Sequence, residues 1–146
     1  MRKNVGFTLI ELIITIAILA VIASMAVPSF KTVRDSYNVR TSTQELVNIL
    51  SQARSQAVLE RREITVKLDS TDSNTENSFS WSAGKNATLN KYTKKEVVFL
   101  PNGLVKDLAQ TKELEFVICN KDNTIAKKIS ISRTGSIQPP IDGSCT

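Results

Sequence analysis

The chain has 146 residues, room for one domain beside a very apolar N-terminal stretch, and its 19 basic and 14 acidic side chains give a net charge of +5. Basic and acidic residues are interleaved, the composition of a solvated surface rather than of a nucleic-acid stripe. Histidine is absent, the two cysteines lack metal-ligand spacing, and no serine sits in a nucleophile-elbow pattern, so neither an enzyme nor a metal or other cofactor is expected.

The first element is the run Phe7 to Val27, FTLIELIITIAILAVIASMAV, interrupted only by Thr8, Glu11, Thr15 and Ser24. At about 1.5 Å per residue a helix of this length spans roughly 30 Å, the thickness of a bilayer's hydrocarbon core, which predicts a transmembrane helix. An ordinary secretory signal would be shorter, and although Ala23-Ser24-Met25-Ala26 has the small residues of a cleavage site, Glu11 inside the run is foreign to a signal peptide. A carboxylate at that depth needs a partner, protonation or a place near the headgroups. Snorkelling to the interface is one solution. The other is a cut after Gly6, which would create an α-amine at Phe7, one helical turn from Glu11.

Gly6-Phe7-Thr8-Leu9-Ile10-Glu11-Leu12, after the basic stretch MRKNV, resembles the GFTLIEL signature of type IV prepilins and type II secretion pseudopilins. The resemblance implies that a membrane prepilin peptidase cuts between Gly6 and Phe7, that Phe7 is N-methylated, and that Glu11 sets the register of successive subunits. It further implies residues 1–6 as a cytoplasmic leader, 7–28 as a transmembrane and filament-core helix, and 29–146 as a periplasmic head, in a single-pass protein of the inner membrane that moves into a pilus or pseudopilus. Loop charge alone does not orient the helix, because Arg2 and Lys3 on one side face Lys31, Arg34 and Arg40 on the other.

Pro28 ends the apolar run and stands where many pilins carry a helix-kinking proline; a plain helix boundary is the alternative. Phe30, Val33 and Tyr37, then Leu46, Leu50, Ala53 and Ala57, recur at spacings of three and four and predict one apolar helix face continuing to about Glu60. The β-branched, hydroxyl-rich stretch Val39 to Thr43 is expected to weaken the helix, with Thr43 capping a renewed turn.

From Ile64 to Leu68 the period changes to two, marking a strand. Asp69 to Ser78 is polar and turn-forming and reads as a mobile loop, after which Phe79 and Trp81 begin a second strand. Further strands are expected at Glu96 to Leu100, Leu114 to Cys119 and Thr124 to Ser132, the last two as a hairpin. Four or five antiparallel strands on the second half of one long helix give an α+β head, the type IV pilin fold.

Three features resemble the minor-pilin subgroup that includes FimT, FimU and the secretion pseudopilin GspH. They are Leu50-Ser51-Gln52-Ala53-Arg54-Ser55-Gln56-Ala57, the strand ending in Cys119, and Ile129-Ser130-Ile131-Ser132-Arg133-Thr134-Gly135. The implied partners are prepilin peptidase, other major and minor pilins or pseudopilins, and inner-membrane lipid. DNA is not expected: the Gly-Arg-x-Arg stretch of FimT-like DNA-uptake pilins is replaced by Gly135-Ser136-Ile137-Gln138, which lacks both arginines. Cys119 and Cys145, in an oxidising periplasm, would form a disulfide tying the Pro139-Pro140 tail to the sheet; two unpaired thiols are the alternative. The expected function is assembly or initiation at the tip of a type IV pilus, with a type II secretion minor pseudopilin H as the alternative.

Overall fold

The computed structural model describes residues 7–89 and 94–145, apart from the side chains of residues 25–28. The chain falls into two compact units, Met1–Arg34 and Asp35–Thr146, with the helix α1 (Leu9–Glu60) contributing to both. In the N-terminal unit the helix is apolar all round from Leu12 to Ala23, apart from Thr15. From Leu9 to Ser24 every residue is exposed.

In the C-terminal unit one stripe of α1 turns inward. Val39, Ser42, Thr43, Leu46, Leu50, Ala53 and Ala57 are buried and mark one face of the helix. Phe30, Val33 and Tyr37 share the periodicity but not the burial: all three are exposed, Tyr37 by 68 %, and the covered stripe starts at Val39. Periodicity identifies an apolar face but not whether the same chain covers it. The helix also runs unbroken through Val39 to Thr43. The Thr43 hydroxyl donates to the carbonyl of Val39 at 2.6 Å, one turn back, instead of capping a new turn. Arg61, at φ 52°, takes the left-handed conformation just past Glu60 that commonly ends a helix.

Two sheets pack on this stripe. The first has the order β2-β1-β4, formed by β1 (Ile64–Leu68), β2 (Ser78–Trp81) and β4 (Glu96–Phe99). β1 and β4 run antiparallel with Val66 opposite Val97, but β1 and β2 are parallel with Val66 opposite Phe79, against the expectation of a purely antiparallel head. The reason lies in the link from Asp69 to Asn77, which returns the chain to the start of β1, where Thr65 N–H donates to Asn77 O at 2.9 Å. Nor is this polar link left loose. Ser80 N–H donates to Asn74 Oδ1 at 2.8 Å, Ser70 N–H to Trp81 O at 3.1 Å, and Lys67 pairs with Asp72 at 3.1 Å. Side-chain acceptors here replace the backbone partners a regular strand would offer.

The second sheet has the order β3-β5-β6-β7, with β3 (Ala87–Leu89), β5 (Glu113–Asn120), β6 (Ala126–Ser132) and β7 (Ile141–Asp142), all pairs antiparallel. β5 and β6 form the expected hairpin, with Phe116 opposite Ile129. Buried Asn120 closes it, its Oδ1 accepting from Thr124 N at 2.8 Å and Ile125 N at 2.9 Å. β3 and β7 were absent from the expected elements, since runs of three and two residues carry no period. The core joins Leu46, Leu50, Ala53 and Ala57 of α1 to Ile64, Val66, Trp81, Phe99, Phe116, Ile118, Ile129 and Ile131. Each larger aliphatic or aromatic side chain there contributes about 1.5–3 kcal/mol by leaving water.

Candidate functional site

The N-terminal element is built from its first turn. Thr8 precedes the helix, and its hydroxyl accepts the N–H of Glu11 at 3.3 Å while its carbonyl accepts the N–H of Leu12 at 3.2 Å. Thr8 is thus the N-cap, and Glu11 stands three residues on, the placement of a capping-box glutamate, at the helix end where a negative charge is favoured. The pattern Thr-x-x-Glu before an apolar run signals this start, although the sequence reading above gave Thr8 no role. Phe7 is 86 % exposed, and beyond Glu11 follow the uncovered side chains of Leu12, Ile13, Ile14, Ile16, Ile18, Leu19, Val21 and Ile22. Within the helix, Thr15 and Ser24 hydroxyls donate to the carbonyls of Leu12 and Val21 at 2.8 and 2.7 Å, which removes their polar groups from competition with an apolar surrounding. Gly6, the other side of the expected cut, and the leader Met1–Gly6 lie outside the described residues, as does the Pro28 side chain, although position 28 is helical.

In the C-terminal unit, Cys119 at the end of β5 and Cys145 in the tail form a disulfide, with Cα atoms 5.9 Å apart. The tail it holds is otherwise lightly attached: Gln138 to Ser144 are all exposed. β7 meets only Lys127 and Lys128, and Gly143 N–H donates to Ala126 O at 3.2 Å.

Arg54 explains why two stretches singled out in the sequence belong together. Half-buried beside Ala53 on α1, its Nε donates to Gly103 O at 3.3 Å and its Nη2 to Thr134 O at 2.8 Å. The guanidinium therefore joins the helix to the turn after β4 and to the turn after β6. Gly135, at φ +73°, lets the second turn pass: a Cβ there would stand 2.4 Å from Gly103 O and 2.6 Å from Arg54 Nε. The Gly135-Ser136-Ile137-Gln138 stretch is a tight return, with Ser132 N–H donating to Ser136 O at 3.0 Å and Gln138 N–H to Ser130 O at 2.9 Å. The lysines near it are engaged by acids, Lys127 with Asp142 at 2.5 Å and Lys128 with Glu115 at 2.6 Å.

The apolar helix opening on a capped glutamate and the small α+β unit tied together by Arg54 each match a known family. Residues 1–27 match the prokaryotic N-terminal methylation motif, and residues 42–135 match the family described as type II transport protein GspH. The chain belongs to the GspH family. It is a type IV pilin-like minor pilin or pseudopilin, and its apolar N-terminal helix with the methylation motif fits a membrane-anchored subunit that enters a pilus or pseudopilus. No curated protein and no solved structure matches it. The GspH match begins at Ser42, whose hydroxyl accepts Gly84 N–H at 3.1 Å, and ends at Gly135 against Arg54, so it covers the Arg54 tie. The end of the tail with Cys145 falls beyond the matched residues.

Proposed function

We propose that this GspH-family chain is a minor subunit of a type IV pilus that acts in pilus assembly and initiation at the filament tip, and that it carries no catalytic step. The observation that supports this reading is the first part of α1: one capped carboxylate, Glu11, at the head of an apolar stretch, Leu9 to Ser24, in which every residue is exposed. Prepilin peptidase cuts between Gly6 and Phe7, the new amine is methylated, and the helix waits in the inner membrane with the C-terminal unit in the periplasm. On assembly the helix leaves lipid for a bundle of neighbouring helices. Lipid tails and leucines are equally apolar, so hydrophobic driving force changes little, and register falls to the one charged pair, Glu11 with the amine of Phe7 in its own or an adjacent subunit.

Glu11→Ala and Glu11→Val are therefore expected to leave leader cleavage intact and to strongly reduce recovery of the protein in sheared filaments. Normal piliation in either variant would sink the register role.

A second reading, a minor pseudopilin of a type II secretion system, is favoured by the description of the matched family. Deletion of the gene separates the two: loss of twitching with normal secretion supports the pilus, and the reverse supports the secretion system. DNA capture stays outside both readings, because Ser136 and Gln138 replace the phosphate-binding arginines.

A further inference from the structure

A surface pocket of about 310 Å³ opens where α1, β6 and the C-terminal tail of the second unit meet, lined by Arg40, Thr43, Gln44, Lys127 and Pro140. Thr43 is buried at its base, its hydroxyl committed to the carbonyl of Val39. The charged groups lie at the rim. Lys127 holds Asp142 on the tail side through one of its three protons, and Arg40 has no carboxylate partner among the described residues. Two cations thus face the pocket against one acid, and that acid is 90 % exposed.

A planar guanidinium can give a carboxylate two parallel bonds, and an ammonium lining the same pocket can add a third. The single excess charge fits one carboxylate. A polyanion such as nucleic acid would instead meet Asp142 at the rim and Glu115 on the neighbouring lysine. One turn before Arg40, on the same side of α1, Tyr37 is 68 % exposed. Tyrosine and arginine side by side on an open helix face are the residue types that anchor protein interfaces.

We propose that this pocket is a socket for an acidic side chain of the neighbouring filament subunit, clamped by Arg40 and Lys127 and flanked by Tyr37. The proposal rests on the filament reading above. It also gives the disulfide a second task, because Pro140 and Asp142, one wall and one rim of the socket, belong to the segment that Cys119–Cys145 holds in place.

The test uses the full-length chain in cells that assemble the filament. Arg40→Glu is expected to be cleaved, oxidised and folded like wild type, yet recovered in sheared filaments at least tenfold less, with Arg40→Lys intermediate. Arg40→Gln, which removes the charge and the guanidinium fork but keeps a polar side chain suited to a helix, decides the matter where Arg40→Glu alters folding. Treatment of wild-type filaments with a zero-length carbodiimide is expected to join Lys127 Nζ to an aspartate or glutamate of another subunit, and this link disappears in Arg40→Glu. Full incorporation of the folded variants, or Lys127 linked only within its own chain, overturns the socket while leaving the filament reading intact. A wild-type chain absent from filaments overturns both.

Discussion

Replacing Arg54 by alanine is expected to destabilise the C-terminal unit by about 3 kcal/mol, taking each of its two charge-assisted bonds at roughly 1.5 kcal/mol. The low end of the range is appropriate for both. The bond to Gly103 O is long at 3.3 Å, and the bond to Thr134 O, though 2.8 Å, faces water that would replace it. The loss falls on two turns at once, because the same guanidinium holds the segment after β4 and the segment after β6. Trp81 is the only tryptophan and is 3 % exposed, so urea unfolding of the full-length chain in detergent, followed by its fluorescence, reports on the unit directly. Arg54→Lys offers a point charge with one reach instead of a fork and is expected to lose about half as much. An Arg54→Ala midpoint corresponding to a loss below about 0.5 kcal/mol would refute the tie, since that is the size of an ordinary surface substitution.

Gly135→Ala places a methyl 2.4 Å from Gly103 O at a φ of +73°, so a loss of at least about 3 kcal/mol is expected in the same assay, and a smaller one in the Arg54→Ala background; strictly additive losses would show that the two residues do not share a contact. Cys145→Ser opens a link between residues separated by 26 positions, for which the chain-entropy relation gives about 3.5 kcal/mol; a loss under about 1 kcal/mol would mean that other contacts hold the tail. A hydrogen bond from Lys67, then one from Ser70 and the charge of Lys67, hold the Asp72 carboxyl below its ordinary value, so the pair's contribution is present above the unfolded-state pKa and fades as pH falls through the lower folded value. The Asp72 titration followed by NMR is expected to move up in Lys67→Ala, and an unchanged midpoint would contradict the pairing.

Much of the fold was legible because its signals are local. The stretch Leu46, Leu50, Ala53 and Ala57 has one period and one burial, and Ile64, Val66 and Leu68 alternate as a half-covered strand does. Phe30, Val33 and Tyr37 misled for a physical reason: they repeat with the helix, but periodicity does not record burial, and all three are exposed. The parallel pairing of β1 with β2 was equally hidden, because a polar link of Ser, Asp and Asn reads as a turn whichever way the chain leaves it. Thr8 was within reach through its spacing to Glu11, whereas Arg54 was noticed only as part of a similar stretch, with nothing to say what it bonds.

By itself, then, the sequence determined the apolar helix with its one glutamate and the pattern of an α+β unit behind it, since hydropathy and period act over neighbouring residues. Only the tertiary structure decided what residues far apart in the chain do together: Arg54 between Gly103 and Thr134, and Arg40 on one pocket with Lys127. A guanidinium has no partner until folding brings one within a few ångströms, and spacing along the chain carries no record of that distance.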